Sequence, residues 1–527
     1  MHTEKKDQKM SCKETPITRQ SHIHRTAKRK IPVLLALSGV LSLSMAAEPL
    51  PGYVLYSPCM NVTKTYLLDT DGDTAKVWSH ARGSAYSSYI LDNGNLLRPS
   101  DSPTSGISGG AAQNGMIQEI DPDGKVVWEF TYKTDKYVLH HGIWPMPNGN
   151  ILASAFEKRT KEEVKSAGLT HVPPAFMSRD GSVLLEQLIE IDPRKPAGQE
   201  IVWIWKVWDH LVSSDQAAAN PQLFSNDMGS SGYMFSDWMH LNGMAYNQNL
   251  DQIVFSSRVF SEIYIIDHST TSEEAAGHTG GKYGKGGDIL YRWGNPTNYK
   301  SQGEISLSTL HNPSWIPEGF PGAGNIIFFH NNDQKDFSQI LEITPPLKPD
   351  GTYEKAAGAA FGPTQPSWTY QDQANGFFSA LMSSVQRLPN GNTFICEANP
   401  NGRLREVDQD GKTLWQYVTN TLSPRAMKYE MNHPGIQKLL GVSTFGKDRK
   451  LQRQTAVDIR LRSGKLCFSN AAGSKINIYS LQGKNIFSST AQGSSFSIST
   501  KDFPTGTYLV SAANKTGTVS RQIKFIR

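Results

Sequence analysis

The stretch Leu139–Leu152, LHHGIWPMPNGNIL, decides the fold because its pattern returns along the chain: a histidine, a short apolar run, Asn-Gly-Asn and a second apolar run. Asp237 onward reads DWMHLNGMAYNQNLDQIVFSSR, Leu310 onward LHNPSWIPEGFPGAGNIIFFH, and Ser383 onward SSVQRLPNGNTFICEA. Seven residues before the turn residues Asn148, Asn247, Glu318 and Asn390 stand His141, His240, His311 and Ser383, and the same step back from Asn93 reaches Tyr86. One register of an internal repeat therefore carries polar side chains, where a purely structural repeat would carry Gly, Ala or Val.

Working outward, each unit adds two further strands. One is apolar and ends at an acidic turn (YLLD, MIQEIDPDG, LIEIDP, IYIID, ILEITP, LREVDQDG). The other bears Trp (AKVWSH, KVVWEF, IVWIWKVW, DILYRW, PSWTYQ, TLWQYV). A period of several dozen residues with about four short strands predicts an all-β fold, a six-bladed β-propeller with blades at 53–80, 86–130, 141–208, 240–293, 311–371 and 383–418. The first unit lacks its own inner strand. SPRAMKYEMNHPGI, after Thr421, is expected to supply it and close the ring, which removes exposed strand edges. Polar insertions at Lys158–Asp180, Asp209–Asp237 and Thr270–Gly287 are expected on a rim, with the second helping to cap the site at His240. The propeller is expected over 47–435 and a basic linker over 436–454. A small immunoglobulin-like β-sandwich should follow over 455–527, with only Asp458 and Asp502 as acids and no His.

Charge is unevenly distributed. Residues 1–46 hold nine Lys/Arg against three Asp/Glu, residues 47–418 hold 27 against 41, and residues 419–527 hold 17 against four. The acidic body argues against nucleic acid as a partner, since phosphates need a basic surface. The basic head leads into the apolar run Ile31–Leu43 and the small residues Ser44–Ala47, so 1–46 reads as a signal peptide. The protein is expected to be exported: periplasmic, at the cell surface or secreted. Removing the head leaves Cys59, Cys396 and Cys467, which form neither a disulfide framework nor a CxxC metal site.

Equivalent inner-strand positions of a propeller converge on one axis, so His141, His240 and His311 should meet. Three imidazoles suit zinc, but Arg258, at the end of IVFSSR, would repel a divalent cation and would grip an oxyanion instead. Such a pocket offers a neutral imidazole to attack sulfur or phosphorus, cations to stabilise the growing negative charge, and a second His for proton transfer.

The ordered motifs HHGIWPMPNGNIL, DWMHLN…IVFSSR, RWGNP, LHNPSWIP…GAGNIIFF and QRLPNGNTFICEA, over roughly Tyr53 to Ile436, resemble the bacterial arylsulfotransferase family. The resemblance implies an exported six-bladed propeller that moves sulfuryl groups between phenolic compounds without the nucleotide donor PAPS, through a transiently sulfated channel His. Position by position, His311 resembles the nucleophile, His141 and His240 the supporting histidines, and Arg258 the sulfate-gripping arginine. Ser383 lies near a further family hydroxyl, Tyr86 occupies the same register, and His140 is the alternative to His141. The better known members carry an N-terminal β domain that helps dimerise them and shapes the active-site entrance, and hardly any residues here lie between the signal peptide and the first unit, so dimerisation and acceptor choice stay open. The tail, GKLCFSN…INIYSLQGKNIF…GTYLVSA…KFIR, is similar to C-terminal sorting domains of the type IX secretion pathway, which implies the secretion machinery as a partner.

The expected function is a ping-pong transferase with an aryl sulfate donor and a phenolic acceptor, and with no cofactor, metal or nucleotide. Its alternatives are a non-catalytic surface propeller binding a sulfated ligand and a sulfate-ester hydrolase. Geometry separates enzyme from binder. A nucleophilic His311 must present an unblocked ring nitrogen, and tethering of that nitrogen to a carboxylate or backbone group favours the binder.

Overall fold

Asn-Gly-Asn and the acidic turns do the same local work throughout. The first Asn of each Asn-Gly-Asn folds its side chain onto the backbone N–H two residues on, at 2.9 Å from Asn93 to Asn95 and from Asn148 to Asn150, and at 3.1 Å from Asn390 to Asn392. Asp69, Asp121, Asp192 and Asp408 make the same 3.0–3.1 Å contact in the acidic turns. These Asx turns give the backbone a local partner that ends one strand and reverses the chain. The second Asn then donates across the sheet to a glutamate of the third strand. Asn95 reaches Glu119 at 2.6 Å, Asn150 reaches Glu190 at 2.5 Å, Asn325 reaches Glu342 at 2.5 Å and Asn392 reaches Glu406 at 2.6 Å.

The computed structural model describes residues 47–441 and 457–525, apart from 60–61, 84–85, 105, 108, 168–177, 179, 228–236, 305, 463, 481–483 and 515–516. The expected signal peptide and most of the expected linker lie outside the described residues, as does much of the insertions at 158–180 and 209–237. Among the described residues no helix is long and apolar enough to cross a membrane.

Among the described residues up to Gly441 the strands form six four-stranded antiparallel sheets in chain order. Tyr89–Ile90, Leu96–Asp101, Gly115–Ile120 and Val126–Thr131 make the second; Tyr137–Pro145, Ile151–Arg159, Val183–Ile191 and Ile201–Lys206 the third; Leu241–Asn247, Gln252–Ser257, Glu262–Asp267 and Ile289–Trp293 the fourth. Leu310–Trp315, Ile326–His330, Gln339–Ile343 and Trp368–Tyr370 make the fifth, and Ser384–Arg387, Thr393–Glu397, Arg403–Val407 and Thr413–Val418 the sixth. The first sheet starts with Ala426–Glu430, which pairs with Gly52–Tyr56 and is followed by Lys64–Asp69 and Thr74–Ser79.

Inner strands of the third to sixth sheets lie against one another in sequence, the third sheet's inner strand contacts the two middle strands of the second, and Ala426–Glu430 contacts the first two strands of the sixth sheet. Hydrogen bonds fasten these seams. Asn242 Nδ2 donates to the Leu310 carbonyl at 2.8 Å, the Val385 N–H to Asn312 Oδ1 at 3.0 Å, and the Lys428 N–H to Gln386 Oε1 at 2.9 Å. The last seam, from first sheet to second, is held by the Ile90 N–H on the Tyr429 hydroxyl at 3.0 Å and by a shared apolar cluster that includes Leu55, Leu67, Ile90, Leu96 and Ile436. Ile436 belongs to a short helix, Pro434–Leu440, so the first residues of the expected linker are packed against these sheets.

Beyond it, Asp458–Arg462, Lys465–Ser469 and Ser495–Ser499 form a three-stranded sheet. Lys475–Ser480, Asn485–Thr490, Gly506–Asn514 and Gly517–Phe525 form a four-stranded one. Both contribute to a single apolar cluster around Ile459, Phe468, Ile476, Ile478 and Val510. Cys59, Cys396 and Cys467 are free thiols.

Candidate active site

The register picked out by the sequence has a backbone signature. Tyr86, His141, His240 and Ser383 are all left-handed, with φ of 69°, 51°, 55° and 84°. A non-glycine residue in this region costs roughly 1–2 kcal/mol, and residues held there tend to cluster at functional sites. Each stands where an inner strand begins or bulges: the register slips between Leu139 and Ile143 and between Leu241 and Gly243, and Ser383 immediately precedes Ser384–Arg387. The fifth sheet departs by one position. There Asn312 takes the positive φ, at 56°, and the slip falls between His311 and Ser314.

The structure brings the register's aromatic side chains together. His141 lies edge-on to His240 and to Tyr86, with ring centroids 4.7 Å apart in both pairs, and Tyr86 stacks toward His311 at 6.5 Å. All four residues are buried. Burial pushes the pKa values of His141 and His311 well below the ordinary histidine range, and the neighbouring imidazoles and guanidinium groups add to the shift. Burial likewise raises the Tyr86 phenol, which keeps it protonated.

Each histidine has its own orienting partner. His311 Nδ1 faces Asn331 Oδ1 at 2.6 Å, and both amide hydrogens of Asn331 go to carbonyls, of Ser379 at 2.9 Å and Met382 at 3.0 Å. The amide can therefore only accept from His311, so the proton sits on Nδ1 and the lone pair on Nε2. That lone pair accepts the Met382 N–H at 3.2 Å. His240 Nδ1 pairs with Asp237 Oδ2 at 2.7 Å, so the end of the second insertion does reach this cluster. His141 Nδ1 contacts His140 Nδ1 at 2.7 Å, and His140 Nε2 lies 2.7 Å from Glu186 Oε2 without an aligned hydrogen bond. His140 is stacked on Phe156 at 3.7 Å, which places it behind His141 and outside the register.

Arg258 and Arg425 both bear electrostatically on His311 and Tyr86. Arg258 is ion-paired with Asp333 at 3.3 Å. Ser383 is buried, and its Oγ accepts the Ala398 N–H at 3.0 Å. Arg425 is the residue that sequence reasoning missed. It is buried, donates from Nη1 to the Tyr89 hydroxyl at 3.1 Å, and its Nε finds no hydrogen-bond partner among the described residues. The signal was present: Arg425 lies seven residues before Asn432, so the same step applied to the closing strand reaches it. Asn331, Asp237 and Glu186 had no such signal, because they lie outside the repeated register.

No curated protein matches the chain. Among solved structures, a protein of unknown function from Bacteroides caccae is similar at 11% identity and a TM-score of 0.40, over 72% of this chain and 98% of that one. A functionally unknown protein from Desulfotomaculum acetoxidans is similar at 8% identity and a TM-score of 0.35, over 72% and 99%. A putative 6-phosphogluconolactonase from Bacteroides fragilis follows at 10% identity and 0.34, over 72% and 83%. Likenesses this remote carry no functional weight. Residues 454–526 match the model of a secretion system C-terminal sorting domain, which marks the protein as exported, to the cell surface or beyond. Residues 49–434, which hold every residue of the cluster, match the arylsulfotransferase model, and the chain belongs to that family.

Proposed function

We propose that the six sheets are the blades of a closed six-bladed propeller and that its buried histidine cluster transfers a sulfuryl group from an aryl sulfate to a phenolic acceptor. His311 Nε2 attacks sulfur as the bond from sulfur to the aryl oxygen breaks, giving N-sulfohistidine and a phenol once the departing oxygen is protonated. The acceptor oxygen then attacks the same sulfur and restores the imidazole. His240, oriented by Asp237, gives a proton to the departing oxygen and takes one from the acceptor. Arg258, His141 and Arg425 stabilise the sulfuryl oxygens, and Tyr86 and Ser383 line the site. The three-stranded and four-stranded sheets of the tail are read as an immunoglobulin-like sandwich that addresses the protein to the secretion machinery. Family membership supports sulfotransfer in general. The observation that carries the finer reading is the convergence of imidazoles held neutral by burial, with two arginines bearing on them.

One contact favours the second reading, an anion-binding propeller without catalysis: His311 Nε2 is engaged by the Met382 N–H. Nucleophilic attack requires that bond to open. A neutral hydrogen bond contributes about 0.5–1.5 kcal/mol net, and Met382 and Ser383, at φ of 59° and 84°, are both held in a costly conformation. The segment that blocks the nitrogen is therefore also one that gains by moving. Intact-mass spectrometry after mixing with a chromogenic aryl sulfate decides between them. A gain of one sulfuryl group that disappears on adding phenol, and is absent in His311→Ala, is expected for the transferase. Phenol release without adduct or acceptor dependence means hydrolysis, and no release with retained sulfate-ester binding means the binder.

A further inference from the structure

A second histidine cluster lies apart from the register, at the outer edges of the third and fourth sheets. His210 ends the 3-10 turn Val207–His210 that follows the outermost strand of the third sheet. Asp288 immediately precedes Ile289–Trp293, the outermost strand of the fourth, and His278 stands on the Gly-rich insertion between them. One ligand atom from each lies within 4.8 Å of the others. Asp288 Oδ1 is 2.8 Å from His210 Nδ1 and 2.8 Å from His278 Nδ1.

The protons decide what this arrangement is for. His210 Nε2 donates to the Ala275 carbonyl at 2.8 Å, so a neutral His210 has its lone pair on Nδ1, aimed at a carboxylate oxygen. Two lone pairs at 2.8 Å repel unless a cation joins them. An imidazolium paired with the Asp288 carboxylate would satisfy the His210 contact alone, whereas three ligand atoms lie together here. A metal ion answers every contact at once. The backbone carbonyl on Nε2–H is then the outer partner that fixes the tautomer of a metal-bound imidazole.

From this geometry we infer that His210 Nδ1, His278 Nδ1 and Asp288 bind a divalent first-row metal, Zn²⁺ by preference, that pins the Gly-rich insertion between two neighbouring sheets. Two imidazoles and one carboxylate select against Ca²⁺ and Mg²⁺, which take oxygen ligands. Bonds of about 2.0–2.1 Å at tetrahedral angles would open the two contacts to roughly 3.3 Å. The His278 side chain is 57% exposed, so the fourth position faces solvent and is filled by water. The site depends on close packing: a Cβ at Gly287 would lie 2.6 Å from His210 Nε2 and 2.0 Å from the Ala275 carbonyl.

The test is titration of the metal-stripped, exported chain with Zn²⁺ by calorimetry and with Co²⁺ by visible absorption. One equivalent bound with a tetrahedral Co²⁺ spectrum, no response to Ca²⁺, and a raised unfolding midpoint are expected. His278→Ala, whose side chain is exposed enough to be lost without unfolding the chain, should weaken binding by about 100-fold or more, as should Asp288→Asn. His311→Ala should leave it unchanged, which separates this site from the register histidines. No stoichiometric binding would overturn the inference, and so would binding that survives in His278→Ala but is lost in His311→Ala.

Discussion

Arg425 and Arg258 differ in what already holds them. Arg258 shares its charge with Asp333, whereas the hydrogen bond of Arg425 goes to a neutral phenol, Tyr89. Arg425→Ala should therefore lower kcat/KM for the aryl sulfate by about 10²–10³-fold, the usual loss for one preorganised donor to developing charge. An unchanged value in steady-state assays would remove Arg425 from the site. His240→Gln should slow turnover by about 10²–10⁴-fold, and least for donors with acidic phenol leaving groups, which need no proton; a uniform loss across such donors would exclude the proton-transfer role. The sign of the pH effect follows from burial. His141 and His311 titrate lower in the folded protein than in the unfolded chain, so below about pH 6.5 the unfolded state takes up more protons. Stability should be full above that value and fall as the solution is acidified below it. Urea midpoints that do not change between about pH 7 and pH 5 would contradict the neutral assignment.

Among elements, the closing strand bears the most specific demand. Ala426–Glu430 completes the first sheet, follows Arg425 into the cluster, and presents Tyr429 to the second sheet. Tyr429→Phe would leave the Ile90 N–H buried without an acceptor, a loss of about 1–3 kcal/mol. A lowered urea midpoint with an unchanged slope is the expected reading, and an unchanged midpoint would show that this seam is held by apolar packing alone. The inner strands earn their bulges similarly. At Tyr86, His141, His240 and Ser383 a left-handed residue turns the chain where the strand meets the cluster, while the Asx turn seven residues on sets where that strand stops.

For the whole molecule, the acidic body and the basic tail are separate in composition and in task. The catalytic candidates all fall within residues 49–434, and the sorting match covers 454–526. A chain ending at Gly441 should keep its donor turnover within about twofold and lose delivery from the producing cell, read by assaying cells and medium separately. A chain ending before Ala426 would leave the Gly52–Tyr56 strand without its neighbour and the first sheet with an open edge, and should not fold.

Local patterning by itself determined the all-β class, the period and the register that supplies the buried aromatics, since hydrophobic alternation and Asx turns act between residues close in the chain. The same period held Arg425 as well, once continued into the closing strand. Partners distant in sequence were decided only by the tertiary structure. Asn331 sets the His311 tautomer from just beyond the strand Ile326–His330, Met382 covers Nε2 from the neighbouring sheet's approach, and Asp288 meets His210 across 78 residues. No periodicity records such contacts, because each arises once, where packing brings two segments within hydrogen-bond reach, and those single contacts determine which nitrogen carries the proton.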